Sequence, residues 1–156
     1  MRWLLLSLLL VTSSATAQDR AQTSGLGVGI GAGFENAGLG GHALYYLQTR
    51  NERWRVAPHL GVGYFGKAGV SGGVMALFGR RHRLVLDVLV SPAAGEGGSH
   101  RATTLYYGLS LLAGWEWMSM QGWALRSTIG VAYRPKLDDE ALFVAVNPLS
   151  LTYKFW

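Results

Sequence analysis

The sequence predicts an all-β fold, an eight-stranded antiparallel up-and-down transmembrane β-barrel. Ring residues recur ten positions apart, and ten residues of a tilted strand climb roughly 25 Å, about the height of the apolar band between the two aromatic girdles of such a barrel. Between the rings, apolar positions alternate with small or polar ones. No apolar run approaches the roughly 20 residues that a spanning helix needs. The predicted girdle pairs are Trp54 and Tyr64, Tyr107 and Trp117, and Trp123 and Tyr133.

The first residues have the three parts of a secretory signal peptide. Met1 and Arg2 precede an apolar run from Trp3 to Val11, and Ala15-Thr16-Ala17 supplies an A-x-A cleavage site. The run is too short for a membrane anchor. We therefore expect a signal peptide at 1–17 and a single outer-membrane barrel domain at 18–156. The chain has no cysteine, which excludes a lipid-anchored lipoprotein, disulfides and thiolate chemistry.

Eight strands account for the rest of the chain. The turns after the second, fourth and sixth strands are tight and polar, as periplasmic turns are, and an even strand number returns both termini to that side. The turn after the first strand, at residues 35–38, is expected to be a short outer loop. The predicted strands are 24–34, 39–50, 54–65, 69–79, 83–91, 103–117, 122–134 and 141–156.

Side-chain alternation predicts which face meets lipid. On the fifth, sixth and seventh strands no charge shares a face with Val88, Leu109 or Ile129. A charge on the lipid face at the bilayer midplane costs about 2–4 kcal/mol, which explains the segregation. The first strand alternates glycine with apolar residues. Its strict period of two excludes the three-residue step of a G-x-G-x-x-G nucleotide site.

Two prolines test this scheme, because a closed barrel has no edge strand to accommodate them. Pro58 falls within the third strand and Pro148 within the eighth. Leu142 and Val144 have the opposite parity to Leu149 and the residues that alternate after it. One extra residue at Asn147-Pro148 would return both sets to the lipid face, so we predict a β-bulge there.

Polar residues on the inner face are expected to plug the lumen, since eight strands leave little room for a water channel. Glu116 and Arg126 are expected to pair diagonally across neighbouring strands. The predicted lumen network is Arg55, Asp87, Glu116, Arg126 and Lys154. Five further residues on this face are His42, Tyr46, Gln48, His59 and Thr152.

The formal charge of +5 resides mainly in two short basic turns, at 50–53 and 80–83, which solvation explains. We therefore expect no nucleic-acid partner. No spacing of His, Asp and Glu indicates a metal site, and no motif indicates a cofactor. An extracellular partner cannot be read from the loops.

The chain ends in alternating apolar positions, Leu149, Leu151, Tyr153 and Phe155, followed by Trp156. This segment resembles the C-terminal β-signal of outer-membrane proteins, and the whole mature chain resembles small barrels of the OmpA/OmpX type. The resemblance implies the barrel architecture, the outer membrane of a Gram-negative-type bacterium as the location, and three partners: outer-membrane lipid, the secretion machinery and the barrel-insertion machinery. In that family the final Phe is usually the last residue, whereas here Trp156 follows it.

We expect a structural or surface-interaction role with a side-chain-filled lumen. One alternative is a lipid A-modifying enzyme, an acyl hydrolase or acyltransferase, with Ser99, His100 and Glu96 as candidate residues. Adjacent residues in a Gly-rich loop rarely form a triad, and the His-x-Ser arrangement expected of the deacylase family is absent. Another alternative is a secreted soluble barrel that binds an apolar ligand. Such a barrel would turn its apolar face inward.

Overall fold

The computed structural model describes residues 23–50, 53–95, 104–134 and 142–155. Eight antiparallel strands each pair with the next, and pairing of the first with the last closes the barrel. The predicted fold is therefore confirmed. The predicted signal peptide lies outside the described residues. The strands are β1 Gly25–Gly33, β2 Gly38–Gln48, β3 Trp54–Tyr64, β4 Ala68–Phe78, β5 His82–Gly95, β6 Thr104–Met118, β7 Trp123–Tyr133 and β8 Leu142–Lys154.

The barrel has two distinguishable ends. Gly25 and Lys154 lie at one, the terminal end, together with the turns that follow β2, β4 and β6. The described ends of β1, β3, β5 and β7 lie at the other, the loop end. Within the described residues, no helix has both the length and the hydropathy to cross a bilayer.

The apolar face of the strands is outside. Ile30, Leu60 and Ile129 are 67%, 65% and 59% exposed, whereas Glu116 and Arg126 are 0% and 1% exposed. Because strand side chains alternate between faces, this orientation follows for each strand as a whole. The predicted orientation is confirmed.

Strand β5 runs to Gly95, four residues beyond the predicted end at 91. Its last residues pair with β6, including Pro92 with Tyr107 and Gly95 with Thr104. The Gly-rich composition of this stretch suggested a loop. The ladder to β6 extends the strand, and Pro92 is tolerated where no residue of β4 pairs with it.

The two prolines interrupt the ladder in different ways. On β8 the register changes between the Arg126–Ser150 pair and the Thr128–Asn147 pair, which leaves one extra residue on β8. The predicted bulge is confirmed. At Pro58 the described β2–β3 pairing omits two successive pairs, those of Pro58 and Ala57, without a change of register, so the proline removes local pairing and does not produce a bulge.

The lumen is more apolar than the sequence suggests. An eight-stranded barrel must fill its interior with side chains, and apolar ones do so as well as polar ones. One buried cluster is Leu44, Tyr46, Ala57, Met75, Leu77, Val85, Met118 and Ala124. A second is Leu89, Leu112, Ala132 and Ala145, with Phe34 and Phe143 packed against it.

Candidate functional site

The connection between β1 and β2 folds into the lumen. Phe34–Asn36 form one turn of 3₁₀ helix, and Ala37 follows in the left-handed region at φ 51°. We call residues 34–37 the inward turn. Glu35, Asn36 and Ala37 are fully buried. The expected outer loop at this position is therefore wrong: the segment plugs the barrel.

Glycines on β3 make room for the inward turn. A Cβ added at Gly61 would collide with the carbonyl oxygen of Glu35, and one added at Gly63 would collide with that of Asn36. Both glycines are on the inner face. The missing side chains therefore create the space that the turn occupies.

Hydrogen bonds fasten the inward turn to two strands on opposite sides of the barrel. The Glu35 N–H donates to Asn147 Oδ1 at 3.0 Å, and the Ser71 hydroxyl donates to the Glu35 carbonyl. The Asn36 amide donates to Ser150 Oγ at 3.0 Å. Since Asn147 and Ser150 belong to β8 and Ser71 to β4, the turn bridges opposite parts of the wall.

His42 adds a third attachment, from β2. Its Nδ1 is 2.6 Å from Asn36 Oδ1 and its Nε2 is 2.7 Å from Thr152 Oγ1. An amide oxygen can only accept, so Nδ1 carries the proton and Nε2 accepts from Thr152 in the neutral ring. His42 thus links the turn to β8 as an uncharged hydrogen-bonding group.

A chain of ion pairs runs from the inward turn to the wall. Arg126 bonds both carboxylate oxygens of Glu35 and also reaches Glu116 Oε2 at 2.7 Å. Arg83 reaches the other oxygen of Glu116 at 2.8 Å, and the Tyr46 hydroxyl donates to Glu116 at 3.1 Å. The two carboxylates and two guanidinium groups balance in charge, as burial requires.

The predicted network divides into separate contacts. The structure brings together Glu116 and Arg126, which are directly opposite in register and not diagonal as expected. Asp87 instead pairs with His59 at 2.9 Å. Arg55 donates to the Gly79 carbonyl at 3.3 Å, and the Lys154 ammonium donates to Thr23.

Three residues depart from the sequence-based expectations. Gln48 shares the inner-face parity of Tyr46 and pairs with Arg55, but it lies at the end of β2 and is exposed. Glu35 was not expected in the lumen because its segment resembles a loop, although it is an isolated acid between glycines. Arg83 was also missed, yet it has the same strand parity as Asp87, and that parity could have identified it.

The girdle residues lie outside, at the two ends of the barrel. Trp54, Trp117 and Trp123 are near the terminal end, and the three tyrosines Tyr64, Tyr107 and Tyr133 are near the loop end. Ring contacts join neighbouring strands at the terminal end. The contacting pairs are Trp54 with Phe78 at 4.1 Å and Trp123 with Tyr153 at 4.8 Å.

The residues of the C-terminal segment share the outer face. Leu149 and Leu151 are 55% and 37% exposed, Tyr153 is half-buried, and Phe155 follows the end of β8 at 39% exposure. The bulge before them gives the segment this orientation. Its role as an insertion signal stays a prediction.

The described residues offer no evident catalytic or metal centre. Ser99, His100 and Glu96 lie outside the described residues. Within the described ranges, no group of three or more His, Cys, Asp or Glu could hold a metal ion. The contacts of Arg126, His42, Ser71, Asn147 and Ser150 hold the inward turn in place.

Neither a protein-family model nor a curated protein matches the chain. Among solved structures, it is similar to the outer membrane protein Ail of Yersinia pestis, whose backbone structure was determined in a phospholipid bilayer nanodisc. The identity is 15%, the match covers 85% of this chain and 100% of that chain, and the TM-score is 0.45.

Proposed function

We propose that the protein spans the outer membrane of a Gram-negative-type bacterium as a closed barrel with a structural or surface-interaction role. The observation that carries the proposal is the separation of charge from the outer face. All six Asp, Glu, Lys and Arg residues within the described strands are buried in the lumen. They are Arg55, Arg83, Asp87, Glu116, Arg126 and Lys154.

The outer face is correspondingly apolar on every strand. A soluble monomer rarely exposes a continuous apolar patch of more than a few hundred Å², whereas hydrocarbon favours such a surface. The soluble-barrel alternative requires the opposite orientation and is not supported. Exposed examples, one from each strand in order, are Ile30, Leu39, Leu60, Val70, Val88, Leu109, Ile129 and Val144.

The aromatic residues support the same location. Trp and Tyr concentrate at membrane–water interfaces because their rings are apolar and their N–H or O–H groups are polar. Here Trp54 and Trp123 lie at one end of the apolar band, and Tyr64 and Tyr133 at the other. The band between them would face lipid.

The filled lumen favours a scaffold over a pore. The inward turn, the ion-pair chain and two apolar clusters occupy the interior. The proposed partners are outer-membrane lipid and the secretion and insertion machineries. The latter would act through the predicted signal peptide at 1–17 and the Leu149, Leu151, Tyr153 and Phe155 segment.

Expression of the full chain in a Gram-negative host tests the proposal. We expect the protein in the outer-membrane fraction, cleaved after Ala17, with gel migration that changes on heating. As a matched pair, Tyr153→Ala within the C-terminal segment should lower the inserted fraction more than Val144→Ala on the same strand. A soluble periplasmic protein whose migration is insensitive to heat would refute the membrane assignment.

A further inference from the structure

The backbone ladder between β4 and β5 ends before either strand does, near the loop end, and we call this unpaired stretch the β4–β5 gap. The described pairing of these strands stops at Gly72 and Val90, although β4 begins at Ala68 and β5 continues to Gly95. Beyond that point β4 pairs with β3, and β5 pairs with β6. The backbone groups that line the gap therefore lack a partner strand.

Pro92 and Tyr107 lie at this gap. Pro92 has no N–H to donate, and it pairs with Tyr107 of β6. The Tyr107 hydroxyl reaches across β5 to within 3.5 Å of the Val70 backbone N on β4. Tyr107 therefore covers the outside of the gap, at the level of the predicted loop-end girdle.

Polar groups without hydrogen-bond partners lie on the inner side of the same wall. Within the described residues, Asp87 Oδ2, the Ser91 and Ser110 hydroxyls and His59 Nδ1 have none. These four residues are 1%, 2%, 1% and 4% exposed, in that order. Such groups normally have a protein or water partner when buried.

The register brings these groups close together. Ser110 is opposite Leu89, with Asp87 and Ser91 two positions away on either side along the same face of β5. His59 reaches Asp87 across Gly73, which has no side chain to block the contact. The unpartnered groups thus follow one line along the inner wall from the His59–Asp87 pair towards the gap, beside Leu89 and Leu112 of the second apolar cluster, and we call this line the polar strip.

We propose that ordered water fills this strip and exchanges with bulk water through the β4–β5 gap, with Tyr107 as its cover. The chemistry suits water. Each serine hydroxyl can donate and accept, Asp87 Oδ2 accepts, and His59 Nδ1 accepts in the neutral ring or donates in the imidazolium, so water can partner all four groups. Three side-chain oxygens fall well short of the six to eight that a calcium ion takes.

Single-cysteine variants test the proposal cleanly, because the chain has no native cysteine. Ser91→Cys and Ser110→Cys are compared with Ser150→Cys, a position that is equally buried but bonded to Asn36. The folded variants are treated with 2-aminoethyl methanethiosulfonate, and heat-modifiable migration verifies folding. We expect modification several-fold faster at 91 and 110 than at 150, and Tyr107→Ala should accelerate it at 91.

Equal rates at the three positions, or no reaction at 91 and 110, would overturn the proposal. Ser110→Ala supplies a readout that does not depend on a reactive thiol. If the strip is dry, removal of an unpaired hydroxyl raises Tm; if it is hydrated, Tm stays the same or falls. Water-to-amide transfer in NMR at residues 108–110, but not at 149–151, would support the hydrated strip.

Discussion

Arg126 is the side chain that joins the inward turn to the ion pairs of the barrel wall. It lies between Glu35 of the inward turn and Glu116 of β6, and all three are buried. Replacement of such a cation leaves two carboxylates to share the charge of Arg83. Loss of Arg126 should therefore weaken both the barrel wall and the attachment of the inward turn.

Arg126→Met should therefore lower the free energy of unfolding by about 3–5 kcal/mol, because loss of one partner strands a buried charge. Urea unfolding of the protein refolded into lipid vesicles, followed by tryptophan fluorescence, measures this. Glu35→Gln combined with Arg126→Met should cost less than the sum of the two single changes. Strict additivity would show that the two residues are not coupled.

Gly61 leaves space for the inward turn because it has no side chain. Gly61→Ala should destabilise the barrel by about 1–3 kcal/mol, since its Cβ would press on the backbone of Glu35 and displace the inward turn. Gly72→Ala is the control, because its Cβ would meet the flexible end of Leu60 at 3.0 Å and the His59 carbonyl oxygen at 3.6 Å, an ordinary van der Waals distance. The same unfolding assay compares them, and equal losses would contradict a specific role for Gly61.

At the scale of the element, β1 shows why its glycines alternate. A Cβ at Gly29 would approach His42 Nε2 to 2.7 Å, and one at Gly31 would approach Asn36 Nδ2 to 2.7 Å. The glycine face of β1 therefore leaves space for the groups that fasten the inward turn. The period of two predicted the strand, but not what would occupy the space.

The β8 bulge reconciles two parities on one strand. Residues 142, 144 and 146 face outward before the bulge, and residues 149, 151 and 155 face outward after it. Since one residue of slip reverses every side chain beyond it, the extra residue must be taken up in a bulge if both sets are to face outward.

Deletion of Pro148 should therefore still allow the barrel to form, because it removes the extra residue, places Val146 and Leu149 two positions apart and keeps both apolar sets outward without a bulge. Pro148→Ala keeps the residue count and the bulge, and it should fold as well. Heat-modifiable migration after refolding measures both variants. A deletion variant that gives no folded band would mean that the bulge does more than align the two apolar sets.

At the scale of the whole molecule, the exposed apolar surface makes a depth-dependent prediction. Ile129→Lys, midway along β7, should destabilise the protein in vesicles by about 2–4 kcal/mol, as a charge facing the bilayer midplane does. Met120→Lys is the matched control, since Met120 is also exposed and apolar but lies in the turn between β6 and β7. Comparable small effects at both positions in vesicles would argue against a membrane-spanning barrel.

Much of the architecture could be predicted because it depends on near neighbours along the chain. Alternation along β7 identified Ile129 as outward and Arg126 as inward, and the parity change at Pro148 located the bulge. The end of β5 was harder to predict from the sequence. Glycine and Pro92 have no strong strand preference, and the pairing with β6 determines how far the strand extends. The lumen was only partly predictable. The parity of a residue along its strand shows whether its side chain points inward, but it does not show which residue that side chain pairs with.

The sequence by itself determined the strand period, the face of each strand that meets lipid and the extra residue on β8, because side-chain direction in a strand alternates regardless of distant contacts. Only the tertiary structure decided that the inward turn enters the barrel. Its attachments join Glu35 to Arg126, 91 residues away, and to Asn147, 112 residues away. Closure of the barrel brings those residues together, and no local sequence pattern predicts contacts between residues so far apart in the chain.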